Sequence, residues 1–340
     1  MTARLRSDVA QLLRPIDPAG GAALSTTADR ADTLRHILAH PAPAPAPRRP
    51  ARRLIIAAAA LATLVLVAVV GYQVVPLPEP AYAATPALLT PAGGGGSAAQ
   101  RLTTIAARAA AAPAPRRPGN DEHLVIRSWS LWTRIDGGQV RSAVIPDRTE
   151  IWRRPDNSGL VQKRYEAAQF PPGSDRLSWW LHGAPGRSAD PTSDSYPAGR
   201  FPAMWSGPPP ATGFDAWLAV GHPRQNGPAE TLVAVTDLAR ERVLTPPIRA
   251  AVLRAVAALP GLTYDGTVTD RAGRPGQAYS VESDYTGLPT RYTLIVDAPT
   301  GVLLGFEQTL TTTAGTLDVK VPCVIGYDTF AVAEFGTAPR

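Results

Sequence analysis

The sequence predicts an α+β fold in which one transmembrane helix precedes a mainly antiparallel β-sheet packed on helices. Three observations lead to this class. Residues 54–75 form a single long apolar run, residues from about 123 onward alternate apolar and polar side chains with period two, and a well-marked helix start at Thr245-Pro246 interrupts those strands. Together they indicate an anchor followed by one folded domain.

Residues 1–53 are predicted to be a basic, Pro/Ala-rich cytoplasmic tail that is largely disordered. The tail has nine arginines and four aspartates, so it accounts for most of the formal charge of +6 on the 340-residue chain. Two weak helical patches occur in it, and the Pro-Ala repeat at 41–47 forms an extended spacer. Since the excess charge lies outside the folded part, we expect no nucleic-acid partner.

Residues 54–75 are predicted to span a membrane. At about 1.5 Å per residue, this 22-residue helix would be about 33 Å long, and a bilayer core is about 30 Å thick. Four arginines lie just before the run, at 48, 49, 52 and 53, and the next basic residue is Arg101. This asymmetry predicts a single-pass protein of the cell membrane, with the N-terminus cytoplasmic and the C-terminal domain extracytoplasmic.

Two other interpretations of the apolar run stay open. A buried core helix is one, but few soluble helices continue so far without a polar face. A cleaved signal peptide is the other, because Ala81-Tyr82-Ala83 resembles a cleavage site. The length of the apolar run and of the tail before it favours an anchor over a signal peptide.

The segment after the run, 76–97, is predicted to be a flexible linker that contains four consecutive glycines, 93–96. An extracytoplasmic domain follows at 98–335. It opens with an Ala-rich helix at 100–112 and continues with strands joined by hairpin turns. These strands are expected at 124–133, 139–154 and 159–168, with another candidate at 176–181. Residues 183–213 are rich in Pro and Gly and are predicted to be a long loop.

The C-terminal part has the clearest alternation of apolar and polar residues. Helices are predicted at 214–220 and 229–242, and a third begins with Thr245-Pro246-Pro247 and ends at Pro260-Gly261. Strand patterns follow at 262–268, 279–282, 291–297, 302–306 and 317–321, separated by turns that contain Asp and Gly.

Sequence motifs of known chemistry are absent. The five histidines form no metalloprotease motif, and the chain contains no Cys-x-x-Cys, no Gly-x-Ser-x-Gly and no phosphate-binding Gly-Lys-Ser/Thr loop. Cys323, the single cysteine, lies in an apolar run and is expected to be a buried small side chain. We therefore predict no catalytic residue, no cofactor and no metal site, and no enzymatic activity.

The seven tryptophans are the most unusual side chains, and all lie after the apolar run. Trp179, Trp180 and Trp205 bracket the predicted loop, and we predict that they line an apolar ligand site. The alternative is that they pack in the core.

Several stretches resemble a family of membrane-anchored actinobacterial proteins of unknown function. They are 141–146, 232–238, 247–253, 262–276 and 287–294. The resemblance covers about 100–335 and implies a domain similar to the LolA and RseB lipoprotein-binding group, with a curved antiparallel sheet wrapped round helices. It transfers no catalytic or binding residue. Members of the family are often associated with sigma factors.

These observations predict a non-enzymatic single-pass membrane protein with an extracytoplasmic binding or sensing domain, which would signal across the envelope through its tail. A short amphipathic helix at 28–39, with Leu34, Ile37 and Leu38 on one face, would bind a cytoplasmic regulator such as a sigma factor. The alternative for the tail is a disordered basic segment that rests on anionic lipid. The alternative function is a carrier or binder of a lipid or a lipoprotein acyl chain. The expected partners are therefore the lipid bilayer, a sigma factor, and a lipid or lipoprotein.

Overall fold

The structure of this protein is a computed structural model, and all the residues it describes belong to the unit Pro76–Arg340. The described residues are 85–113, 117–136, 139–170, 191–205, 207–210, 212–317 and 319–339. The predicted tail at 1–53 and the predicted span at 54–75 lie outside this part of the chain.

Nine strands form one continuous antiparallel sheet. They are β1 Asp121–Asp136, β2 Gln139–Arg153, β3 Gly159–Tyr165, β4 Thr192–Tyr196, β5 Thr263–Thr269, β6 Pro275–Ser283, β7 Thr290–Val296, β8 Leu303–Leu310 and β9 Cys323–Gly336. Their order across the sheet is β4-β3-β2-β1-β9-β8-β7-β6-β5, so the last strand of the chain joins the two halves by pairing with β1 and β8.

Four α-helices accompany the sheet in the described residues. They are α1 Ala98–Ala111, α2 Phe214–Leu218, α3 Pro228–Glu241 and α4 Pro246–Ala257, with a short 3-10 helix at Arg224–Asn226 between α2 and α3. The hydroxyl of Ser97 caps α1 by accepting the backbone N–H of Gln100 at 3.2 Å. Proline occupies the first turn of α3 and of α4, where its missing N–H costs no helical hydrogen bond.

The main core lies between the four α-helices and one face of the sheet. Leu102 of α1, Leu232 of α3 and Leu253 of α4 are fully buried in it, together with Tyr279 and Leu294 of the sheet. Since strand side chains alternate, Ala278 and Ile295 point to the opposite face, where they form a smaller apolar cluster with Val268 and Leu304.

The predicted fold class is wrong. We expected an α+β fold of the LolA/RseB type with a transmembrane helix followed by a curved sheet packed on helices. The described residues instead form a nine-stranded antiparallel sheet with few helices. No helix among them is both long and apolar enough to cross a bilayer.

The physical reason lies in strands that the apolar pattern does not mark. Strand β4 has the sequence TSDSY, with no apolar face, and it lies inside the segment predicted to be a loop. Strand β9 is interrupted by Gly326 and shifts register against both neighbours, so its alternation is broken. The described residues of the pattern at 317–321, namely 317 and 319–321, are not in a strand, and the candidate strand at 176–181 lies outside the described residues.

Candidate functional site

A cavity of about 330 Å³ lies in the helical layer, between α2, the 3-10 helix, α3 and α4. Its wall is mainly apolar, with alanine, leucine and proline side chains. They include Leu218, Ala219, Pro228, Ala234, Ala255 and Leu259. Five polar or charged residues also reach the cavity, namely Asp215, His222, Arg224, Glu230 and Thr231. A mainly apolar cavity with a few converging polar groups is the usual form of a small-molecule site.

His222 is the buried polar centre of this site, with only 6% of its surface exposed. Its Nδ1 lies 2.8 Å from Oε1 of Glu230, and its Nε2 lies 3.4 Å from Oδ2 of Asp237. The other carboxylate oxygen of Glu230 accepts the side-chain N–H of Asn226 at 3.1 Å. Nε2 is buried and makes no hydrogen bond with a described residue. The imidazole is therefore held by a hydrogen bond to Glu230 and has a second carboxylate, that of Asp237, beside its other nitrogen.

The local sequence explains this arrangement. Glu230 and Asp237 are seven residues apart on α3, so both carboxylates lie on one face of the helix, two turns apart. Glu230 is in the first turn of α3, where the helix dipole favours a negative charge. Gly221, just before His222, and Gly227, just before α3, both have positive φ, which glycine adopts without strain.

Burial raises the pKa of the Asp237 carboxyl above its ordinary value. Arg240 and His222 oppose this shift with positive charge, while Asp328 and Glu230 add to it. Asp328 is itself bound, because its carboxylate accepts the hydroxyl of Ser128 at 2.5 Å and lies 3.5 Å from Nη1 of Arg240. A polar network of partly exposed and buried side chains therefore joins α3 to β1 and β9 beside the site.

Trp205 lies directly against His222. The two rings are nearly parallel, with their centroids 5.8 Å apart, and the indole N–H donates to the carbonyl of Trp217 at 2.9 Å. Trp205 is fully buried in the main core and packs behind the imidazole. Trp179 and Trp180 lie outside the described residues, so the predicted apolar site at Trp179, Trp180 and Trp205 stays a prediction.

Sequence reasoning missed His222. It treated the five histidines as a group without a motif, and no single residue around His222 marks it. A usable signal was present on α3, because a predicted helix with acidic residues at 230 and 237 begins a few residues after a histidine. Among the described residues, no group of three or more His, Cys, Asp or Glu side chains could hold a metal ion.

Comparison with known proteins adds no relative. No family model matches the chain, and no curated protein matches it. The resemblance to the actinobacterial family therefore stays a prediction, and the proposals below depend on the sequence and on the geometry of the described residues.

Proposed function

We propose that this protein is a membrane-anchored, non-enzymatic binding or sensing protein whose domain binds a small ligand in the His222 cavity. The observation that carries the proposal is the combination of an apolar wall with one fixed, buried imidazole. Nδ1 of His222 is hydrogen-bonded to Glu230 and Nε2 lies 3.4 Å from Asp237, so the two carboxylates orient the ring at the cavity.

The size and charge of the cavity define the ligand class. Ligand pockets usually measure about 300–1,000 Å³, so a cavity of about 330 Å³ suits a small, compact molecule. The lining has two carboxylates, Asp215 and Glu230, against one guanidinium, Arg224. This excess of acceptors favours an apolar ligand with one hydrogen-bond donor or positive group. The same small volume makes the alternative function, a carrier of a lipid or lipoprotein acyl chain, the weaker proposal.

The cellular setting is proposed from the sequence. Residues 54–75 would hold the protein in the cell membrane, with the tail in the cytoplasm and the described domain outside it. The tail would report to a cytoplasmic regulator such as a sigma factor through Leu34, Ile37 and Leu38. Basic residues of the same tail would also rest on anionic lipid.

A cavity-filling substitution tests the binding proposal. Ala255 lines the cavity on α4, so Ala255→Leu should occupy the space that a ligand needs. The full chain in lipid nanodiscs would be screened by ligand-observed NMR with small alicyclic and aromatic amines. We expect wild type to bind a subset of these amines and Ala255→Leu to lose that binding.

The matched control is Ala251→Leu, which makes the same change on the same helix at a residue that does not line the cavity. It should bind the amines as wild type does. If wild type binds no amine, or if Ala255→Leu binds them equally well, the cavity is not the ligand site.

A further inference from the structure

Strands β1 and β2 extend beyond the rest of the sheet as a two-stranded ribbon. β1 pairs with β9 only as far as Ser130, and β2 pairs with β3 only from Asp147 onward. Beyond these residues, 131–136 and 139–143 pair with each other and with no other described strand. At about 3.4 Å per residue, the six residues 131–136 reach roughly 20 Å past Ser130. The base of the ribbon is covered on one side, because Ala143 is buried in a cluster against which Ala168 and Phe170 pack.

The ribbon exposes large apolar side chains to solvent. Trp132 is 42% exposed and Ile135 is 66% exposed. The two residues have opposite parity along β1, so they lie on opposite faces of the ribbon. Neither belongs to an apolar cluster of the described residues, whereas the neighbouring Leu131 packs on two of them. The ribbon therefore has an apolar end that the described part of the molecule does not cover.

A third exposed side chain lies at the same end of the sheet. Tyr285, in the β6–β7 turn, is 59% exposed. The strand register places this turn at the same end of the sheet as the ribbon. At that end β1 and β8 finish, and β7 and β9 start. A small core of Leu310, Val319 and Cys323 stabilises that side. We call Trp132, Ile135 and Tyr285 the apolar tip.

We propose that the apolar tip inserts into the interfacial region of the lipid bilayer. Trp and Tyr are the side chains that settle at the level of lipid headgroups, where one end of the ring is apolar and the other is hydrated.

The length of the chain outside the structure supports a bilayer as the occupant. This inference rests on the proposed membrane anchorage through residues 54–75. Nine residues, 76–84, separate that segment from the first described residue, and they span at most about 32 Å when fully extended. A domain on so short a tether stays within reach of the lipid surface, so even a weak contact through the apolar tip is enough to keep the tip at the bilayer.

The inference is tested with a fluorescent label in the full chain. Ile135→Cys, labelled with an environment-sensitive dye, would be reconstituted in nanodiscs of phosphatidylcholine and phosphatidylglycerol that contain a headgroup-region spin-labelled lipid. We expect several-fold stronger quenching at residue 135 than at the matched control Ala272→Cys, because Ala272 lies in the exposed β5–β6 turn at the opposite end of the sheet. Wild type with its buried Cys323 gives the background labelling.

Trp132→Ser with Tyr285→Ser, added to the labelled Ile135→Cys chain, should remove most of that quenching while the far-UV spectrum stays unchanged. Equal quenching at residues 135 and 272, in protein that elutes with the discs, would overturn the lipid contact and leave the anchorage standing. Unlabelled Ile135→Cys chains that form a disulfide-linked dimer, together with no quenching of the labelled chains, would identify a second copy as the occupant and also overturn it. Protein that does not elute with the discs would refute the anchorage, and the inference with it.

Discussion

At the scale of single residues, two buried titratable side chains, His222 and Glu307, each contact a partner of complementary charge. His222 lies between Glu230 and Asp237 at the cavity, while Glu307 is buried on the other face of the sheet. Nε and Nη2 of Arg271 both donate hydrogen bonds to Oε2 of Glu307, at 2.9 and 2.6 Å respectively. The Arg271–Glu307 pairing was not predictable from the sequence, because it joins residues 36 apart in different strands and turns. The His222 pairing is local, since Glu230 is only eight residues away, but it depends on how the chain turns before α3.

Glu307 gives a pH-dependent prediction. Burial raises the pKa of this carboxyl above its ordinary value of 4.5, although Arg271 and Thr309 act in the opposite direction. The folded state therefore holds this proton more tightly than the unfolded state. The resulting stabilisation is complete below pH 4.5 and is lost as the pH rises through the folded pKa. We expect the free energy of unfolding of wild type, minus that of Glu307→Gln, to fall as the pH rises above 4.5.

Urea denaturation at a series of pH values measures this difference. Glu282→Gln is the matched control, because Glu282 also pairs with an arginine, Arg291, but both side chains are exposed. An exposed ion pair contributes about 0–1 kcal/mol, so the control should show little pH dependence. A difference that rises with pH for Glu307→Gln would mean that the ion pair outweighs burial.

At the scale of elements, the elements that were predicted correctly are those whose sequence signal comes from residues close together in the chain. The β2–β3 turn at Asp156-Asn157-Ser158 and the start of α4 at Thr245-Pro246 are fixed by neighbours in the chain, and both were predicted. Strand β4 and most of β9 were missed because each depends on the strand beside it. The cavity was missed although its lining residues all lie between Asp215 and Pro260, because its shape depends on how three successive helices pack against one another.

The β7–β8 turn packs directly against α1 and α4, and Gly301 makes this close approach possible because it has no side chain. Its φ is +70°, and a Cβ at this position would lie 2.9 Å from Cδ1 of Leu253 in α4 and 3.0 Å from Cβ of Ala109 in α1. Gly301→Ala therefore combines backbone strain of about 1–2 kcal/mol with overpacking of about 1–3 kcal/mol. We expect a marked loss of stability, measured as a lower urea midpoint.

Gly287→Ala separates these two causes. Gly287 is in the β6–β7 turn with φ of +92°, but a Cβ there would meet nothing within 4 Å. This variant should lose only the strain contribution and be less destabilised than Gly301→Ala. Equal losses would show that the β7–β8 turn does not press on α1 and α4.

At the scale of the whole described domain, the last strand in the chain, β9, lies in the middle of the sheet. The sheet is made of two groups of strands, β1–β4 and β5–β8, and β9 hydrogen-bonds one group to the other through β1 and β8. The main core also crosses this boundary, because it includes Leu124 and Ile126 of β1 as well as Leu294 and Phe306 of β7 and β8. We infer that the two groups unfold together.

The tryptophans allow that inference to be tested, because all seven lie between Trp129 and Trp217 and none lies in β5–β9. Leu294 is fully buried in β7, so Leu294→Ala should cost about 2–5 kcal/mol through the cavity it leaves. If the sheet unfolds as one unit, the tryptophan-monitored transition of the full chain must shift to lower urea by the same amount as the transition seen by far-UV circular dichroism. Leu124→Ala, on β1 within the tryptophan-containing group, serves as the reciprocal control and should shift both signals in the same way. A tryptophan transition that stays in place in Leu294→Ala, while the circular dichroism signal divides into two steps, would show that β9 does not couple the groups.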